Sequence, residues 1–211
     1  MRNWKPGGPR ARILARRTLM RTPYFRVVEE KVVYRGREFV YQFRPHIHVV
    51  HIVALTPSGD AVLVRQYRHP VRKALIELPA GSADPGEGVL AAAKRELNEE
   101  TGYSARRWIN LGGWYPSPAS TNMKTYYFLA LGARRTRRPH LDRYEFLRVE
   151  RRPFAPMAEN LRGIKDTTVN TLIGIELTAR KLKRISPSRY ANRDSRVAGS
   201  AGRCGGSKIP E

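Results

Sequence analysis

The chain has a single cysteine, Cys204, so it forms no internal disulfide and no cysteine-based metal cluster; a reducing compartment is compatible with that usage. It lacks any apolar run long enough to cross a bilayer as a helix. These two features together lead us to expect a cytoplasmic protein with no membrane partner. Acid is scarce as well: 18 Asp and Glu stand against 40 Lys and Arg, for a formal charge of +22. The first acid is Glu29, preceded by Arg10, Arg12, Arg16, Arg17 and Arg21. The same stretch contains no serine and no clear cleavage signal, which argues against an organellar transit peptide. No internal repeat is evident.

What is present fits one globular core with basic ends. A hydrophobic fraction of 41% over 211 residues supports a single domain of ordinary size. We expect residues 1–21 to be a basic flexible segment, 22–185 the folded domain and 186–211 a basic disordered tail. Such a charge attracts polyanions, nucleic acid included, without specificity and in a salt-dependent way. Pro23–Phe43 reads as a β-hairpin turning at Arg35-Gly36. His46–Leu55, Ala61–Tyr67, Ala74–Leu78, Trp108–Trp114, Lys124–Leu131 and Tyr144–Glu150 read as further strands, and Met157–Leu161 and Thr171–Arg184 as helices. Strands, a helix, more strands and a closing helix suit an α+β fold, a mixed sheet sandwiched between helices. Within the first of these strands, His46 and His48 face one side and His51 the other, so a shared metal is not expected and their role is structural or at the surface.

The most informative stretch is GSADPGEGVLAAAKRELNEETGY, Gly81–Tyr103. A turn-rich loop runs into a helix over Leu90–Thr101, stopped by Gly102. Leu90, Ala93 and Leu97 make one apolar stripe. Glu96, Glu99 and Glu100 cluster on its flank at i, i+3 and i+4, where like charges disfavour a helix by roughly 0.2–0.5 kcal/mol per pair. They also sit in the last turn, at the negative end of the helix dipole. Read alone, the cluster is either a solvated acidic face or a cation site. Its position beside the core, in a chain poor in acid, favours a cation, and hard oxygen ligands suit magnesium or manganese.

This stretch resembles the Nudix box, G-x5-E-x7-R-E-U-x-E-E-x-G-U. Gly81, Glu87, Arg95, Glu96, Leu97, Glu99, Glu100 and Gly102 fall in register, and the aromatic Tyr103 is a mild departure. The resemblance implies a metal-dependent hydrolase of nucleoside diphosphate compounds, with Mg2+ (or Mn2+ in its place) held by Glu96, Glu100, Glu99 and the carbonyl of Ala80. It implies that Gly81, Glu87, Arg95 and Gly102 shape the loop and helix. It also implies a homodimer in which the N-terminal hairpin packs between subunits.

Three features outside the box are similar to the ADP-ribose pyrophosphatase branch: VRQYRHP followed by IELPAG (Val64–Gly81), Pro118 sixteen positions beyond Gly102, and YPSPAS with NMKTYYFLA (Tyr115–Ala130). By that resemblance Arg68, Glu77 and Pro118 contact substrate, and ADP-ribose yields AMP and ribose 5-phosphate. Two departures stand against it. Ala119 and Met123 occupy places where the branch has Gly and Glu, and Arg134, Arg135, Arg137 and Arg138 replace its late acidic loop. Asp142 and Glu145 are then the nearest candidate bases, beside Glu99. A nucleoside diphosphate sugar such as GDP-mannose, or a triphosphorylated RNA end, remains an alternative substrate. A basic nucleic-acid-binding protein with a non-catalytic Nudix fold is the alternative of another class.

Overall fold

The structure is a computed structural model and describes residues 11–141 and 146–185. The chain begins with a three-stranded antiparallel sheet, β1 (Arg12–Arg21), β2 (Arg26–Tyr34) and β3 (Arg37–Phe43), ordered β1-β2-β3. The β2–β3 hairpin turns at Arg35 and Gly36, both at positive φ, as the Arg-Gly pair suggested. β1 is a departure, because residues 12–21 were expected to be flexible. All ten of its residues are exposed, so no buried face marks it in the sequence. It is held by its ladder to β2 and by cross-strand ion pairs, Arg16–Glu30 at 3.5 Å and Arg17–Glu29 at 2.7 Å. The expected 186–211 tail and residues 1–10 lie outside the described residues.

The remaining elements are β4 (Val49–Leu55), β5 (Asp60–Arg68), β6 (Lys73–Glu77), β7 (Ala80–Ser82), α1 (Val89–Thr101), β8 (Tyr103–Ser104), β9 (Arg107–Trp114), β10 (Thr125–Leu131), β11 (Arg134–Arg135), β12 (Leu147–Pro153), α2 (Phe154–Glu159) and α3 (Val169–Ile185). A seven-stranded mixed sheet is ordered β12-β5-β4-β10-β9, with β6 added to β5 and β7 to β4. β4 and β10 run parallel and the other pairs antiparallel. Strand alternation sorts the core into two layers. Val50, Ile52, Ala54 and Phe128 pack with Ala92, Ala93 and Leu97 of α1 on one face. Val53, Leu55, Leu63 and Leu129 pack with Phe154 and Met157 of α2 and Ile175 and Ala179 of α3 on the other. This is the expected sandwich, with near-continuous apolar strands because both faces are covered.

One irregularity in this sheet positions the candidate site. β4 and β5 pair directly only at Ala54↔Val62 and Leu55↔Ala61. Beyond that they diverge, and the β6–β7 segment fills the gap: β5 continues against β6, β4 continues against β7, and Ile52 N–H donates to the Pro79 carbonyl at 2.9 Å. A cleft opens where the sheet parts.

At the sheet edge Glu150 of β12 accepts from Arg65 at 2.6 Å, Arg148 at 2.9 Å and Arg152 at 3.2 Å. The Arg65 bond, with those of Arg148 and Arg152 behind it, holds this carboxyl at about 2, well below its usual 4.5. A lowered carboxylate pKa stabilises the fold above the unfolded value and loses that contribution as pH falls toward the folded one. Glu150→Gln should therefore lower stability at pH 7 by about 1–3 kcal/mol. Denaturant unfolding should show the gap to wild type closing between about pH 5 and pH 2; a gap that does not change with pH would contradict this.

Candidate active site

α1 is flanked by Gly88 before its first residue and Gly102 after its last, and at its left-handed φ of 73° Gly102 donates its N–H to Asn98 O at 2.9 Å. The Gly102 carbonyl accepts from Thr136 N–H, and a Cβ at this position would strike the Arg137 carbonyl. The glycine thus ends the helix and seats the arginine-rich loop of residues 134–138 against it.

Arg95 organises the carboxylates. Its guanidinium donates to Glu87 at 2.9 and 3.1 Å, to Glu96 and Glu99 at 2.9 Å each, and to the Ser82 carbonyl at 3.0 Å, with Asp84 at 3.8 Å. The expected Arg95–Glu87 ion pair is present, and it extends further than expected. The Arg95 hydrogen bond is the main cause holding the Glu87 carboxyl below its usual range, and the Asp84 N–H adds to it. In return Glu87 first, then Glu99 and Glu96, raise the already high pKa of Arg95.

Glu96 and Glu100, both buried, face β7. Glu100 accepts from the Ala80 N–H at 2.9 Å, and the Glu96 carboxylate lies over Gly81, where a Cβ would collide with it. Among the described residues no three His, Cys, Asp or Glu groups converge as a ready metal cage. The donor set nevertheless fits a hard divalent cation, since magnesium takes oxygen ligands, typically one or two protein carboxylates plus water and substrate phosphate. Glu96, Glu100, Glu99 and the Ala80 carbonyl are all oxygen donors at one end of α1.

Next to them the parted sheet forms a cleft of about 490 Å³, lined by residues that include His51, Arg68, Glu77, Ala80, Gly81, Thr125 and Asn170. Arg68 and Glu77, expected to bind substrate separately, form a bidentate pair with two bonds of 2.8 Å. Glu77 is buried and Arg68 half exposed, so the pair presents a guanidinium at the cleft surface. The structure places Pro118 apart, in an apolar depression of about 340 Å³ with Tyr41, Phe43 and Tyr115 beside the N-terminal sheet. Asp142 and Glu145 lie outside the described residues.

His51, expected to be structural or at the surface, lines the cleft and stacks on Tyr127 with ring centroids 5.5 Å apart. Burial, then the nearby Arg68 charge, holds it down at about 4, so it is neutral at pH 7. Its signal was a lone polar residue inside an otherwise apolar buried strand. His46 and His48 sit elsewhere, His46 Nδ1 on the Ile47 carbonyl at 2.6 Å and His48 edge-on to Tyr126.

Comparison with known proteins gives the same picture. The model of the NUDIX domain family matches residues 44–168. The ADP-ribose pyrophosphatase of Bacillus subtilis (strain 168) is 33% identical over 124 residues, 58% of this chain and 66% of that protein. A methanol dehydrogenase activator of Bacillus methanolicus is 34% identical over 103 residues, 48% of this chain and 56% of that one. The chain thus spans between half and two-thirds of these relatives' length. A crystal structure of an ADP compounds hydrolase superposes with a TM-score of 0.75 at 25% identity, covering 86% of this chain and 99% of that chain.

Gly81→Ala tests how closely Glu96 must lie on β7. The added Cβ should displace the Glu96 carboxylate and cost about 1–3 kcal/mol in thermal unfolding. Divalent-cation binding should weaken at least about tenfold, a loss of roughly 1.4 kcal/mol. Gly88→Ala, whose Cβ meets open space, is the control and should leave cation binding unchanged.

Proposed function

The chain belongs to the NUDIX family, and we propose that it hydrolyses the diphosphate bond of a nucleoside diphosphate linked to a sugar, with ADP-ribose, split into AMP and ribose 5-phosphate, as the first candidate. The observation that carries this reading is the placement of Glu96 and Glu100 against β7, at the mouth of a cleft that also holds Arg68. The names of the Bacillus subtilis relative and of the superposed hydrolase support ADP-ribose as the substrate.

In this reading Glu96, Glu100 and the Ala80 carbonyl hold the cation, Glu99 contributing, and magnesium is the ion proposed. When bound there, a divalent cation supplies positive charge against the diphosphate and acidifies water. Arg95 orients Glu96 and Glu99 so that they need not reorganise during reaction. Arg68, steadied by Glu77, offers a planar guanidinium to a phosphate oxygen. Glu99, its side chain 35% exposed and one oxygen on Arg95, is the described carboxylate placed to receive a proton. Asp142 and Glu145 are the other candidates for that role.

A homodimer is part of the proposal. It is supported by the exposed apolar side chains of the N-terminal sheet, among them Ile13, Leu19, Met20, Phe39 and Val40. The cytoplasm is the proposed compartment. Among the described residues no helix is long and apolar enough to cross a membrane.

The test is turnover with magnesium on ADP-ribose, GDP-mannose and a triphosphorylated RNA. ADP-ribose should be preferred, and Glu100→Gln should cut turnover by about 10²–10⁴-fold, the scale of losing metal charge stabilisation. The glutamine oxygen can still accept from Ala80, so its circular dichroism should match wild type. Activity on GDP-mannose or RNA alone would retain the metal site and discard the ADP-ribose assignment. Full activity in Glu100→Gln would overturn the site itself. Silence on all three, with tight nucleic-acid binding, would favour the non-catalytic alternative.

A further inference from the structure

The cleft contains a polar cluster that the carboxylates and Arg68 do not explain. Val49 and Thr125 are register partners in the parallel β4–β10 pair, and so are His51 and Tyr127. Strand alternation therefore puts His51, Thr125 and Tyr127 on one face, the side packed by α3. The Tyr127 hydroxyl donates to Asn170 Oδ1 at 2.8 Å, near the start of α3. Burial raises the Tyr127 phenol to about 12, so it keeps the proton it donates.

Thr125 is the anomaly. It is 1% exposed, and its Oγ1 is one of two buried side-chain oxygens without a hydrogen-bond partner among the described residues. The other, on Thr178, does not line the cleft. A buried hydroxyl left unsatisfied destabilises a fold, and valine would fill the same space without that cost. The hydroxyl thus has the character of a group whose partner arrives from the cleft.

We propose that Thr125, His51 and Asn170 form a recognition site for the hydroxyls of a sugar. Each can engage a hydroxyl: Thr125 Oγ1 both donates and accepts, the His51 imidazole offers two ring nitrogens, and the Asn170 amide NH₂ donates while its oxygen serves Tyr127. Thr125 and Asn170 carry no charge, whereas a phosphate would seek Arg68 or the cation. Sugar hydroxyls, each a donor and an acceptor, match this set. The hydroxyls can come from the nucleoside ribose or from the sugar on the far side of the diphosphate. The inference rests on the proposed hydrolysis of nucleoside diphosphate sugars.

The experiment compares wild type with Thr125→Val on ADP-ribose, on its analogue deoxygenated in the adenosine ribose, and on its analogue deoxygenated in the distal ribose. Thr125→Val should lower kcat/KM for ADP-ribose about tenfold. It should lower kcat/KM less than about twofold for whichever analogue lacks the recognised hydroxyl, and that analogue identifies the source. Thermal unfolding of the free protein should show Thr125→Val as stable as wild type or more so, since valine removes an unsatisfied group. Equal losses on all three substrates, no loss on any, or a clear drop in Tm would each overturn the inference; no loss would mean that only water meets the hydroxyl. If wild type hydrolysed none of the three, the proposed activity would fall first, an outcome distinct from failure of the Thr125 comparison.

Discussion

The Arg95 guanidinium is the interaction on which the rest of the site depends. Glu87, Glu96 and Glu99 gather around it, and it also caps the Ser82 carbonyl. Without a fixed cation among them, carboxylates at i, i+3 and i+4 in the last turn of α1 would repel one another and oppose the helix dipole. Arginine suits this position because its planar fork can serve several oxygens at once, which an ammonium cannot do with the same geometry. The same contacts tie the loop of residues 82–87 to the helix, so the side chain that offsets the charge also fixes the shape.

The second constraint is the parting of β4 and β5. Where the strands part, His51, Arg68, Glu77 and Thr125 line one cleft. Inserting β6 and β7 keeps the backbone hydrogen-bonded: Ile52 N–H donates to the Pro79 carbonyl, Ile76 N–H to Asp166 O before α3 at 2.7 Å, and Leu78 N–H to Thr171 Oγ1 in the first turn of α3 at 3.2 Å. The cleft opens without leaving those strand groups unpaired. β7 also lies against Glu96 and Glu100, so the strand that lines the cleft also meets the carboxylates of α1.

Much of this was legible in the sequence, for identifiable reasons. α1, its glycine stop and its carboxylate cluster follow from local spacing, and the apolar strands from their β-branched runs. β1 was not legible, because a strand with no buried face carries no period-two signal. The Arg68–Glu77 pair is not a register pair, since β6 sets Lys73 opposite Arg68 and Glu77 opposite Val64; it forms by side-chain reach along the ladder, which no local pattern gives. Pro118 fell in a depression built with the N-terminal sheet, a tertiary neighbour that spacing from Gly102 does not reveal. Thr125 reads as an ordinary strand threonine, and only burial without a partner sets it apart.

The proposed site puts a divalent cation among Glu96, Glu99 and Glu100 at the end of α1, two of them held by Arg95. Direct Mn2+ binding, followed by electron paramagnetic resonance on wild type and on Glu96→Gln, is the measurement that meets it most squarely. Wild type should bind Mn2+ saturably, and Glu96→Gln, with its fold intact, should bind it at least about tenfold more weakly. Mn2+ binding of equal strength in both proteins would place the cation away from Glu96 and the end of α1.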